Sequence, residues 1–127
     1  MGLWRFMDYC SAADNNLIEK WYCNLPEEAQ AEFDVTLKAL SITEDWRELP
    51  GMFEHLGRDR LCTIKFKAGN VQYRPAGSFG PGDKRFSIYV GCRKKGKVFT
   101  PPDAFDLAIE RRAKVQRGEA SLRERIV

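Results

Sequence analysis

The chain opens on an aromatic-rich, loosely alternating stretch, residues 3–9 "LWRFMDY", of the kind that forms a β-strand. Apolar positions then switch to helical spacing. Leu17, Ile18, Trp21 and Leu25 make one stripe, and Ala29, Phe33, Leu37 and Leu40 make a second. Pro26 between them ends the first helix and suits the first turn of the next, where Glu27 and Glu28 complement the positive end of the dipole. Ser11 or Asp14 is the expected N-cap of the first helix. Two helices joined by so short a link read as an antiparallel hairpin. Residues 41–57, with Trp46, Leu49, Pro50, Gly51, Phe53 and Leu56, read as an ordered connection containing a short helical turn.

Period two returns in "LCTIKFKAGNVQYR", residues 61–74. Cys62, Ile64 and Phe66 fall on one face of a strand; Thr63, Lys65 and Lys67 fall on the other. Gly69-Asn70 is a two-residue hairpin turn, which sets Lys67 opposite Gln72, Phe66 opposite Tyr73 and Lys65 opposite Arg74. Residues 75–84, with three glycines and two prolines, read as a loop. Residues 85–92 read as a strand with Phe86, Ile88, Val90 and Cys92 inward and Arg85, Ser87, Tyr89 and Gly91 outward. "RKKGK" (93–97) follows as a basic turn. Thr100 is the expected cap of a last helix that begins at Pro101 and carries Phe105, Leu107, Ala108, Ala113 and Val115; from Gly118 the tail extends it weakly or frays. The expected fold class is α+β in a single domain, 1–127: a small antiparallel sheet with an N-terminal helical hairpin and a C-terminal helix.

Composition is that of an ordinary globular chain of 127 residues, 43% hydrophobic and 31% charged. Its net charge of +3 hides a segregation. Residues 1–57 hold four Lys/Arg against eleven Asp/Glu; residues 58–97 hold eleven against two; residues 98–127 hold six against five. The middle block is either a solvated surface or a site for a polyanion, and two features bear on the choice. Cations directly opposite one another on paired strands are destabilising, and Lys65 and Arg74 are such a pair. On the same face, Lys65, Lys67, Arg74 and Tyr89, with Arg93, Lys94, Lys95 and Lys97 at its edge, have the makings of a surface that holds phosphates and stacks a base.

Other chemistry is sparse. Cys10, Cys23, Cys62 and Cys92 are scattered without a CxxC pair and a single histidine, His55, completes no ligand set, so no metal site and no cofactor are expected. The thiols read as reduced and mostly buried. His55 reads as a connecting-loop histidine with neither carboxylate nor cysteine beside it. The glycines of 77–82 lack the trailing Lys-Ser/Thr of a phosphate loop. No apolar run approaches the roughly 20 residues that span a bilayer, and the N-terminus lacks the apolar core of a secretion signal. The expected compartment is the cytoplasm, with no membrane partner.

"NLP" between two helices, the Lys-x-Lys strand followed by Arg74, "KKGK" after a third strand and "PPDAFDLAIERR" at the final helix occur in one order. In that order the chain resembles the RelE/ParE toxin superfamily, especially its HigB-like, phage-derived branch. The resemblance runs from "WYCNLPEEAQAEF" to "AIERRAKV" and implies a RelE-like fold. It implies the toxin of a type II toxin–antitoxin module, a ribosome-dependent, metal-independent mRNA endoribonuclease that inhibits translation. Lys65, Lys67 and Arg74 match the cations that hold the RNA backbone and stabilise charge in the transition state. Arg93 or Lys94 falls where a further basic residue belongs. The implied partners are mRNA, the ribosome and an acidic antitoxin with a helix-turn-helix DNA-binding domain. The chain has neither Tyr nor His after residue 89 to serve as the C-terminal general base that RelE uses, and "CTIKF" stands where HigB-like chains carry a Glu-Leu-Arg-like strand. Two alternatives share the resemblance: a ParE-like inhibitor that binds gyrase without catalysis, and a phage-derived relative with neither activity.

Overall fold

The computed structural model describes residues 3–127, and most of what they form is sheet. In chain order the elements are β1 (Arg5–Cys10), α1 (Leu17–Cys23), α2 (Glu27–Ser41), a 3-10 turn (Trp46–Glu48), β2 (Phe53–His55), β3 (Cys62–Ile64), β4 (Phe66–Ala68), β5 (Val71–Tyr73), β6 (Ala76–Phe79), β7 (Arg85–Val90), β8 (Arg93–Lys95), β9 (Val98–Thr100), α3 (Ala104–Gln116) and β10 (Ser121–Arg125). Six strands make one sheet in the order β10-β1-β7-β6-β3-β2, in which only β1 and β7 run parallel. Four make a second, antiparallel sheet in the order β4-β5-β8-β9. Among the described residues, no helix is long and apolar enough to cross a membrane.

This layout overturns the expected fold class. Ten strands in two sheets replace one small antiparallel sheet, and the arrangement is not RelE-like. The two N-terminal helices are not a hairpin: α1 packs on β1 and β7 and α2 packs on β4, and the two helices touch through Trp21, Tyr22 and Phe33. Asn16 caps α1, its Oδ1 accepting from the Glu19 N–H at 2.8 Å, in place of Ser11 or Asp14. The supposed loop at 75–84 contains β6. Gly77 belongs there because a Cβ would lie 2.0 Å from the Ser87 carbonyl oxygen, so the glycine permits close approach of β7 at a register shift. "RKKGKVFT" is a second hairpin turning at Gly96, whose φ is +61°, which puts Thr100 in β9 and delays α3 to Ala104. Gly118, at φ +75°, stops α3, and the tail becomes β10.

The 61–74 hairpin forms in the expected register, with Gly69 and Asn70 both at positive φ in its turn. It is longer than the sequence suggests. Cys62↔Gly77 and Thr63↔Ala76 pair in the larger sheet, and Phe66↔Tyr73, Lys67↔Gln72 and Ala68↔Val71 pair in the smaller one. One unbroken register therefore runs through both sheets, with the Ile64 N–H donating to the Pro75 carbonyl at 3.0 Å near the join. Lys65 and Arg74 face each other there, outside either ladder.

Aromatic rings fill the larger sheet's faces. On one, Trp46 stacks on Phe6 with centroids 5.6 Å apart and contacts Phe53, Phe79 and Phe86, each at 5.3 Å, while its indole N–H donates to the Leu40 carbonyl at the end of α2. On the other, Tyr9 meets Tyr89 edge to face, and Arg111 of α3 lies 5.0 Å over Tyr9 while donating to the Tyr89 carbonyl at 2.7 Å. Burial of each such ring stabilises the fold by roughly 1.5–3 kcal/mol.

The chain's two ends meet in a buried ion pair. Arg125 of β10 reaches the Asp8 Oδ1 of β1 at 3.0 Å and the Glu19 carboxylate of α1 at 2.6 Å, with its guanidinium over Tyr22 and Phe33. Side-chain exposure is 9% for Arg125 and 3% for Asp8, so neither charge has water to fall back on. Burial raises the Asp8 pKa above 3.8, an effect that Arg125 and Asn16 oppose. Arg125→Met should therefore lower the unfolding free energy by about 3–5 kcal/mol at neutral pH, and adding Asp8→Asn should restore part of it. With its folded-state pKa raised, the contribution of Asp8 is fully present below 3.8 and lost as pH rises through the folded value, so the variant's deficit should shrink in acid. Urea denaturation across pH measures this; a neutral-pH deficit below about 1 kcal/mol, the range of an exposed pair, would contradict it.

Candidate nucleic-acid interface

Register across the four-stranded sheet sets Lys67 opposite Gln72, Gln72 opposite Lys94, and Lys94 opposite Phe99. Directly paired residues share a face, and so do residues two apart along a strand. Lys65, two before Lys67, and Arg74, two after Gln72, therefore join the same face. Four of the expected site residues are brought together in this way: Lys65, Lys67, Arg74 and Lys94. Arg93 and Lys95 turn to the opposite face, the one that carries Phe66 and Tyr73, and Lys97 sits in the turn between β8 and β9.

Tyr89 does not belong to the surface. It was expected to point outward, but β7 is an inner strand covered on both faces, and Tyr89 is only 1% exposed. Ser87, expected outward as well, is fully buried. Burial raises the Tyr89 phenol pKa further above 10, which removes it both as a stacking platform and as a proton acceptor. The ring on the cationic face is Phe99. Lys94 places its ammonium 5.5 Å from the Phe99 centroid, and Phe105 of α3 abuts the same ring at 4.6 Å. Sequence reasoning misses Phe99 because "RKKGK" (93–97) reads as a basic turn; the alternation on either side of Gly96 is the signal for the β8–β9 hairpin that carries it.

Arg74 is half-buried, and its guanidinium donates to the Gln72 Oε1 at 2.7 Å and to the Tyr73 carbonyl at 3.4 Å. Both partners lie on its own strand, so the guanidinium folds back along β5. Burial lowers its pKa, and the Glu54 carboxylate on β2 acts in the opposite direction. Among the described residues, none of Lys65, Lys67, Arg74, Arg93, Lys94, Lys95 and Lys97 makes an ion pair. By contrast Arg5, Arg58, Lys114, Arg117, Arg123 and Arg125 all do. The face is thus a group of cations without ion-pair partners, of which Arg74 is held in place by hydrogen bonds, and its donors suit phosphate oxygens.

His55 also departs from expectation. It is the β2 residue paired with Cys62 of β3, and its Nδ1 lies 3.4 Å from the Cys62 Sγ. No group of three or more metal-ligating side chains occurs among the described residues. Comparison with models of known protein families, with curated proteins and with solved structures finds no match to this chain.

All four cysteines are free thiols, and Cys23 alone is exposed. Burial pushes the Cys62 thiol up to about 11 and the Cys92 thiol up to about 12, so neither holds much thiolate at neutral pH. Ellman's reagent at pH 8 should titrate one thiol promptly in the native protein and all four after denaturation. Substitution of Cys23 by Ser should abolish the fast phase; a fast phase of two or more thiols would contradict the burial of the other three.

Proposed function

We propose that the protein is an RNA-directed toxin of a toxin–antitoxin module, acting in the cytoplasm on mRNA at the ribosome. The observation that carries this reading is the group of Lys65, Lys67, Arg74 and Lys94 on one sheet face, without an ion-pair partner and with Phe99 beside them. Such a face neutralises backbone phosphates, and the motif order noted in the sequence supplies the toxin reading. In the proposed reaction the 2′-hydroxyl of one nucleotide attacks its own 3′-phosphate. The 2′-hydroxyl proton passes to water, the 5′-oxygen of the next nucleotide leaves and takes a proton from water, and a 2′,3′-cyclic phosphate remains. Lys65, Lys67 and Arg74 hold the phosphate oxygens and stabilise the extra charge at the pentacoordinate stage. An acidic antitoxin segment would cover the same face by charge complementarity.

A second reading, RNA binding without cleavage, is favoured by one observation: Tyr89 is buried, and no other phenol or imidazole lies on the cationic face.

The two are separated by one set of variants. RNA affinity should fall steeply with salt, and Lys65→Ala, Lys67→Ala, Arg74→Ala and Lys94→Ala should each weaken it and reduce the magnitude of the salt slope by about 1. Lys38→Ala on α2 is the control. If the face also cleaves, loss of Lys65 or Arg74 should slow mRNA cutting in a translation extract by roughly two to three orders of magnitude and relieve growth arrest, while Lys65→Ala leaves the thermal midpoint unchanged or slightly raised. Binding lost without any cleavage by the parent chain would select the second reading. Growth arrest that survives loss of these cations would point to a ParE-like target instead.

A further inference from the structure

Beyond the other end of the long hairpin, the turn between β2 and β3, strand β6 and the C-terminal half of α3 border an open cavity of about 580 Å³. Its volume is within the range of small-molecule sites. Arg60, Arg112 and Asp59 line it, together with His55, Cys62, Ser78, Phe79 and Gln116.

The charges of this cavity are not balanced internally. The Asp59 carboxylate is 3.6 Å from Arg58, which also pairs with Asp106. Arg60 and Arg112, by contrast, have no ion-pair partner among the described residues. Arg112 donates from Nη1 to the Asp59 carbonyl at 2.8 Å, which fixes its guanidinium against the turn. Arg60 makes no side-chain hydrogen bond there, and both it and Asp59 hold left-handed backbone, at φ 61° and 49°. The loop is kept in that form by the Leu61 N–H donating to the Arg58 carbonyl and the Leu56 N–H donating to the Leu61 carbonyl.

The remaining lining supplies a donor and an apolar wall. The Cys62 thiol sits 3.4 Å from the His55 Nδ1; when its S–H donates there, the ring's N–H is on Nε2 and available to a ligand. Phe79, 41% exposed, gives a flat apolar side. Two guanidiniums, an imidazole N–H and an aromatic wall fit an anion of two charges on an organic body.

We propose that this cavity binds a small organic dianion, a phosphate monoester or a dicarboxylate, between Arg60 and Arg112, with His55 as a hydrogen-bond donor. The site is separate from the cationic face of the four-stranded sheet and stands without the RNA reading.

The chain's single histidine makes the test direct, because the imidazole proton resonances can come only from His55. The folded protein is titrated with adenosine monophosphate, inorganic phosphate and succinate, each against sodium chloride at matched ionic strength. A saturable shift of the His55 signals is expected with at least one of the two organic dianions, and the responding compound tells phosphate monoester from dicarboxylate. Inorganic phosphate, lacking the organic body, should bind more weakly. Arg60→Ala, which removes no internal hydrogen bond, should weaken binding about tenfold or more. Arg112→Lys, which keeps the charge but not the two-pronged geometry, should weaken it too, and Lys38→Ala should not. A linear, unsaturated shift equal to that of sodium chloride, or full binding by Arg60→Ala, would overturn the proposal.

Discussion

Register along the single hairpin 62–77 is the constraint on which the rest of the protein depends. Its outer half belongs to the four-stranded sheet and its inner half to the six-stranded one, so the same pairing that stacks Phe66 on Tyr73 also aligns β3 with β6. A slip of one residue would move Phe66 and Ile64 from the buried face to the face of Lys65 and Lys67, and carry both cations inward. Gly69-Asn70 fixes the turn, and the buried rings penalise every other alignment. The cationic face and the arginine-lined cavity are both consequences of that register, because Lys65 and Cys62 lie on the same strand path three residues apart.

Charge is organised around this hairpin by exclusion. Three acids of the N-terminal half find counter-ions at the far end of the chain, Asp8 and Glu19 with Arg125 and Asp14 with Arg123, and Arg5 pairs in turn with Glu124. These pairs hold β10 and β1 together. The hairpins of the smaller sheet receive no such partners, so the +9 of residues 58–97 remains a local excess, although the whole chain carries only +3. A field of that kind draws in polyanions and is screened by salt.

Much of this was legible from period and turn chemistry. The turn at Gly69-Asn70, the facing of Lys67 and Gln72, and the helices over 17–23 and 27–41 follow from local rules. What failed depended on distant partners. β10 escaped notice because its inward position carries Arg125, whose partner Asp8 is 117 residues away, so no apolar alternation marks the strand. β6 escaped because a glycine needed for close approach to β7 looks, in sequence, like a glycine of a loop. Tyr89 was misplaced because a strand covered on both faces loses the contrast between sides, and His55 because its neighbour Cys62 is fixed by cross-strand pairing. The helical hairpin failed because a stripe does not name its partner; α1 and α2 turn theirs to different strands.

The facing pair of Lys65 and Arg74 shows how modest the physical cost of such a face is. Two cations about 4 Å apart repel by about 1 kcal/mol in bulk water, and long side chains reduce this by moving apart. Arg74 does so, turning its guanidinium to Gln72, while Lys67 on the next register step projects into solvent. Stability alone would nevertheless favour an acid at position 65, which would gain an ion pair with Arg74 across the strands. Position 65 carries a lysine instead, and Glu54 on β2, whose charge acts on Arg74, makes no ion pair with it. Because repulsion between side chains that can spread apart is so weak, a run of unpaired cations costs the fold little, and stability alone does little to forbid such a face.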